Sequence, residues 1–154
     1  MADSSELDEQ IRHALTEIRM VLPGAQALLG FQFITLVLQD FEKLPESMKQ
    51  LHLASLGLMT LAVILLMTPA AYHRVVEKGE NTQHFLDFCG RMLLISLVPL
   101  AAGVAGDFYV VIFKVSGSFA TAGYATLPVM VFVYGLWFAY PWYKRRGSKS
   151  ARRS

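Results

Sequence analysis

Residues 119–142 form a run of 24 without a single Asp, Glu, Lys or Arg. As a helix, a run of that length rises about 36 Å, more than the roughly 30 Å of a bilayer's hydrocarbon core. Soluble domains seldom contain so long an apolar helix, and here the pattern recurs. Residues 51–72 carry His52 as their one ionisable group, residues 92–113 are interrupted by Asp107, and residues 20–38 hold no charge. The 54% of apolar residues and 17% of charged ones are therefore unevenly spread, with the charges collected between four blocks. A typical soluble domain has about 25% charged residues, dispersed over its surface. The expected fold is all-α, an integral membrane four-helix bundle. Its spans lie at about 20–38, 51–72, 92–113 and 119–142, within a single domain covering residues 1–154.

An amphipathic helix is predicted over residues 5–22. Leu7, Ile11, Ala14, Leu15, Ile18 and Leu22 fall on one stripe, and Asp8, Glu9, Arg12, Thr16 and Arg19 cover the other side. Pro23-Gly24 follows, and a proline removes a backbone donor, so a bend is expected where the chain enters the first span. The segment Ser116-Gly117-Ser118 reads as a turn between the last two spans. Ala101, Ala102, Gly103, Ala105 and Gly106 form a small-residue patch that lets helices approach closely. Trp137, Tyr140, Trp142 and Tyr143 gather at one end of the fourth span, as an interfacial aromatic belt does. The acidic N-terminus, MADSSELDEQ, lacks the positive start of a secretory signal, so the first span is expected to direct insertion.

Basic residues orient the spans. Four spans place both termini on one side, which then carries eleven of the 14 Lys and Arg residues, against Lys43, Lys49 and Lys114 on the other. This predicts a multi-pass protein of the plasma or inner membrane with N and C termini in the cytoplasm. The basic tail, residues 144–154, fixes topology and attracts anionic lipid, at about 1 kcal/mol per basic residue near the surface. It needs no nucleic acid to explain it.

Polar groups inside a bilayer are costly, so they are the candidates for function. Asp107 lies sixteen residues past Arg91, about 24 Å along a helix, in the outer part of its span. It is a candidate ion- or proton-binding group. The structural alternative is a carboxylate that pairs with Lys114, seven residues further along the same face. Gln26 and Gln32 are simplest as interhelical hydrogen-bonding residues. Six positions apart, they do not share one face. At the cytoplasmic boundary, Glu17, Arg19, Gln26, Tyr72, His73 and Arg74 make up a polar cluster in which Glu17 is expected to pair with Arg74 or His73. Glu17 and His73 join Asp107 as ion- or proton-binding candidates. His13, His52, His73 and His84 do not pair at a matched depth, which argues against haem. Cys89 is the one cysteine and cannot form an internal disulfide. No phosphate loop, nucleophile elbow, metal-binding spacing or dinucleotide fingerprint occurs, so the expectation is a protein that is not an enzyme and carries no cofactor or metal.

Two segments carry a resemblance. Around the first span stand Glu17, Arg19, Leu22, Pro23, Gly24, Gln26, Leu28 and Phe31. At the end of the second stands TPAAYHR, with Thr68, Pro69, Ala71, Tyr72, His73 and Arg74. Together they resemble a family of small prokaryotic four-span proteins known as domain of unknown function 6328. The likeness extends from about residue 5 to 146. Members are often named sodium:proton antiporters, and the resemblance implies cation–proton exchange. Ordinary antiporters are built from repeats and broken helices around a midplane site, so a chain this short would act as a homo-oligomer or within a larger membrane assembly. The expected function is permeation, or assisted permeation, of protons or monovalent cations. The rival is a non-catalytic structural or regulatory protein, a helix-packing scaffold or accessory subunit.

Overall fold

The computed structural model of the chain describes residues 2–78 and 80–144; the basic tail beyond Lys144 lies outside the described residues. Four long helices dominate: α1 (Ala2–Leu36), α3 (Glu46–Val75), α4 (Gln83–Ser116) and α5 (Phe119–Tyr134). A single turn, α2 (Gln39–Glu42), sits between α1 and α3. A π-helical turn, Gly135–Ala139, carries the α5 helix on to Lys144. No strand occurs among the described residues, and the protein is an all-α bundle.

The amphipathic segment and the first span are one continuous helix of 35 residues, and Pro23 lies inside it. The buried positions explain the continuity. Ile11, Ile18, Ala25 and Gln32 are buried at intervals of seven, so one contact stripe runs the length of α1 and holds both halves against the same neighbours. Pro23 cannot donate to the carbonyl of Arg19, yet the packing on either side keeps the helix intact. Pro69, Pro99 and Pro128 likewise lie inside α3, α4 and α5. Membrane helices tolerate such prolines because neighbouring helices support the freed backbone.

The α3–α4 pair is the centre of the bundle. A methyl group at Gly103 would come within 2.8 Å of Met59 Cγ, and one at Gly106 would overlap the Ser55 hydroxyl. The small-residue patch therefore does what its composition implies, bringing the two backbones together. Helix α1 packs on both α3 and α4, and α5 packs chiefly on α4. Local chemistry sets the ends. Thr82 caps α4 by accepting from the Phe85 N–H at 3.1 Å. Gly117 closes it in the left-handed region, φ +65°, with its N–H on the Phe113 carbonyl, and Ser118 caps α5 through Thr121.

Leu61, Ile64, Leu94, Ile95, Leu127, Val131 and Phe132 all face outward. Apolar surface of that extent marks a molecule whose surroundings are lipid. Three helices are long and apolar enough to cross a bilayer: α3, α4 and the run Phe119–Lys144. Helix α1 is not one of the three. Its apolar half, residues 20–36, is short for a span and contains both Gln26 and Gln32.

Candidate functional site

Where α1 ends, α3 begins and α4 approaches its last two turns, three polar side chains converge. Gln32 is four residues from the end of α1, His52 six residues into α3 and Asp107 nine residues before the end of α4. At 1.5 Å per residue they lie within about 6–14 Å of the same end of the bundle. Gln32 Nε2 donates to Asp107 Oδ2. His52 Nδ1 stands 3.1 Å from Asp107 Oδ1, and its Nε2 stands 3.2 Å from the backbone carbonyl of Gln32. The imidazole also packs on Phe41 of α2, with ring centroids 5.4 Å apart. Gln32 and His52 are buried, whereas the Asp107 side chain retains 26% of its exposure against 4% for the His52 side chain.

This geometry fixes a proton count. A carbonyl oxygen only accepts, so the 3.2 Å contact to Gln32 is a hydrogen bond in the tautomer that carries the proton on Nε2. The Nδ1···Oδ1 contact then needs one further proton, carried either by imidazolium facing carboxylate or by carboxylic acid facing imidazole. Without it, two acceptors would face each other at hydrogen-bond distance. In that tautomer the trio shares one proton, and Asp107 is its most exposed member.

It reaches a cavity of about 420 Å³ between α1, α2, α3 and α4. Leu28, Phe31, Leu38, Phe41, Val110 and Val111 make its apolar wall, and Lys114 lies at its border. The pairing expected of Asp107 with Lys114 does not form. Lys114 Nζ instead meets Asp40 Oδ2 at 3.4 Å, and Lys43 Nζ meets Asp40 Oδ1 at 2.9 Å. The hydrogen bond from Lys43, then that from Lys114, holds the Asp40 carboxyl below its ordinary 3.8. Two turns separate Asp107 from Lys114, too far for direct contact, while the α1–α3 connection brings Asp40 within reach.

At the opposite end the residues expected at the cytoplasmic boundary are dispersed. Arg19 and His73 border a second cavity, of about 360 Å³, with Leu22, Leu66 and Met67. His73 packs on Phe85, centroids 4.7 Å apart, and its Nε2 is buried without a hydrogen-bond partner. Tyr72 also packs on α4, stacking on Phe88 with centroids 4.4 Å apart. Glu17, Gln26 and Arg74 are exposed, and among the described residues Glu17 makes no ion pair with Arg74 or His73. Among the described residues, no group of three His, Cys, Asp or Glu side chains converges as metal ligands would.

His52 was not singled out by sequence reasoning, because a lone histidine near a span boundary resembles an interfacial residue. Gln32 carried a usable signal. The stripe of Ile11 and Ile18, extended by sevens, lands on Ala25 and then on Gln32.

Outward apolar faces, prolines within long helices and a buried polar trio define a small helical bundle of the membrane-spanning kind. Within that class, the chain belongs to the Family of unknown function (DUF6328), whose profile matches residues 2–141. No curated protein and no solved structure matches the chain.

Proposed function

We propose that this protein binds protons or monovalent cations within the bilayer and passes them across it, with Asp107 as the exchanging group and His52 as its proton partner. The observation that carries this reading is the single proton required between His52 Nδ1 and Asp107 Oδ1, beside a cavity that gives the carboxylate access. A proton held in a hydrogen bond between two titratable groups can be taken up and released without breaking the fold. Gln32 keeps Asp107 aimed at His52 in either state. The reading includes a fourth span made by the apolar half of α1, termini in the cytoplasm of a plasma or inner membrane, and the basic tail on anionic lipid. The trio then lies toward the outer leaflet. Within the apolar window of Phe119–Lys144 only 11% is buried inside the molecule, against 39% for α4, which leaves α5 a face for lipid or for a second copy.

The rival is a structural or regulatory protein in which the trio only pins α1, α3 and α4 together. It draws on the fact that both oxygens of Asp107 already have partners. Purified protein in liposomes, followed with an internal pH dye under proton, sodium or potassium gradients, separates the two. Proton or cation flux is expected, lost in Asp107→Asn and retained in His73→Ala. Flux no greater than that of empty liposomes, at several protein densities, would overturn permeation by the protein alone. Loss of flux in His73→Ala with retention in Asp107→Asn would move the site to the opposite end.

A further inference from the structure

The cavity beside Asp107 is far larger than a proton or a bare metal ion requires. Its volume of about 420 Å³ falls within the roughly 300–1,000 Å³ of small-molecule sites, and its wall is mostly aliphatic and aromatic. A dehydrated metal ion needs a cage of several oxygens. Here the acceptors are the open edge of Asp107 and the buried Gln32 Oε1, which has no hydrogen-bond partner. The Thr35 hydroxyl, also at the wall, donates to the Phe31 carbonyl of its own helix at 3.0 Å and adds one more acceptor, still short of such a cage. One carboxylate in an apolar, aromatic chamber is the complement of one positive charge on an apolar body. Phe31 and Phe41 supply rings of the type that attract alkylated ammonium groups.

We infer that this cavity binds an amphiphilic organic monocation, an ammonium with an aromatic or alkyl body, whose charge takes the place of the proton shared by His52 and Asp107. The inference rests on that proton being exchangeable, as the proposed function requires. When the cation enters, the shared proton leaves to water. His52 keeps its Nε2–H on the Gln32 carbonyl, and its Nδ1 lone pair then faces a carboxylate. That contact is repulsive, so the carboxylate turns to the cation while Gln32 Nε2 remains its donor. The other charged groups near the cavity are Lys114 on α4 with Asp40 and Lys43 around α2. Lys114 and Lys43 are both held by Asp40, which limits their repulsion of an arriving cation.

The test is equilibrium binding of benzyltrimethylammonium to the purified full-length chain in lipid nanodiscs, by calorimetry. Neopentylbenzene, its uncharged analogue, serves as the comparison. One saturable site is expected, with affinity falling about tenfold for each unit that pH falls where the proton must be displaced, because binding releases one proton. Release should be visible with a pH dye in weak buffer. Asp107→Asn should weaken binding at least tenfold. Phe31→Ala, at the cavity wall where the ring is largely exposed, should weaken it several-fold with helicity by circular dichroism unchanged. Equal binding of the neutral analogue, no dependence on pH, or no saturable site at all would overturn the inference. Proton flux in liposomes without binding of the cation defeats this inference and spares the proposed function. Binding without flux does the reverse.

Discussion

The two ends of the bundle assemble polar residues in opposite ways. At one end the signature residues are neighbours in sequence, Tyr72-His73-Arg74, and are separated in space. At the other, Gln32, His52 and Asp107 stand 20, 55 and 75 positions apart and are joined by hydrogen bonds. Successive residues on a helix point about 100° apart, so a run of three polar residues does not converge on one point. Tyr72 and His73 both pack on rings of α4, His73 also bordering the second cavity, and Arg74 faces the outside. A polar site inside a helical bundle needs one residue from each of several helices, and such a site leaves no run in the sequence. The conspicuous motif and the connected site are therefore different places.

The largest expected effect separates the ends by packing. Gly106→Leu drives a side chain into Ser55 at the α3–α4 contact, one residue from Asp107, and should destabilise the protein by about 3 kcal/mol. Gly90→Leu, in the other half of α4, meets nothing within 4 Å and should stabilise slightly through helix propensity. Unfolding in detergent, followed by circular dichroism, measures both. Equal losses would mean that the α3–α4 contact is no tighter at the site than elsewhere.

A second pair compares the histidines directly. His52→Leu removes the partner of Asp107 and of the Gln32 carbonyl, leaving buried acceptors unsatisfied, at about 2 kcal/mol. His73→Leu removes a buried ring nitrogen that has no hydrogen-bond partner, so it should leave stability unchanged or raise it by up to about 1 kcal/mol. The reverse order in the same unfolding assay would invert the comparison between the ends.

Much of the fold was readable in advance, because it follows from local chemistry. The apolar runs, the Thr82 start of α4, the Ser116-Gly117-Ser118 turn and the small-residue contact all depend on residues a few positions apart. The bend expected at Pro23 falls inside one continuous helix, and that continuity has a tertiary cause. A proline sets a local tendency, while the heptad stripe from Ile11 to Gln32 is held along its length by α3 and α4. At the site, Asp107 was legible because a carboxylate within a span is rare. Its partner was not. Lys114 is nearest in sequence, but His52 belongs to another helix, and only the docking of α3 on α4 decides between them.

The caps should be equivalent at the two ends, which confines the contrast to the interior. Thr82→Ala and Ser118→Ala each remove a hydroxyl that accepts from a first-turn N–H, and each should cost about 1 kcal/mol. A much larger loss for Ser118 would mean that the α4–α5 turn helps to hold the site, and would extend the contrast to the loops.

The smallest effect bears on the partner of Asp107. Lys114 binds Asp40 in this structure, so Lys114→Ala should raise the Asp40 titration toward its ordinary value and leave proton flux and the His52 ring signals unchanged. Lys43→Ala should raise it further, since the Lys43 hydrogen bond is the stronger influence. The sign follows from linkage. A carboxyl whose folded value is depressed contributes its stabilisation above its unfolded value of 3.8 and loses it as pH falls through the folded one. The tie between α2 and α4 should therefore loosen only in acid, below 3.8. Carbon-detected NMR of labelled Asp, with His ring signals read in the same samples, records both groups at once. A change at His52 and Asp107 on removing Lys114, with Asp40 unmoved, would restore the pairing that proximity in sequence suggests and dissolve the one-proton site.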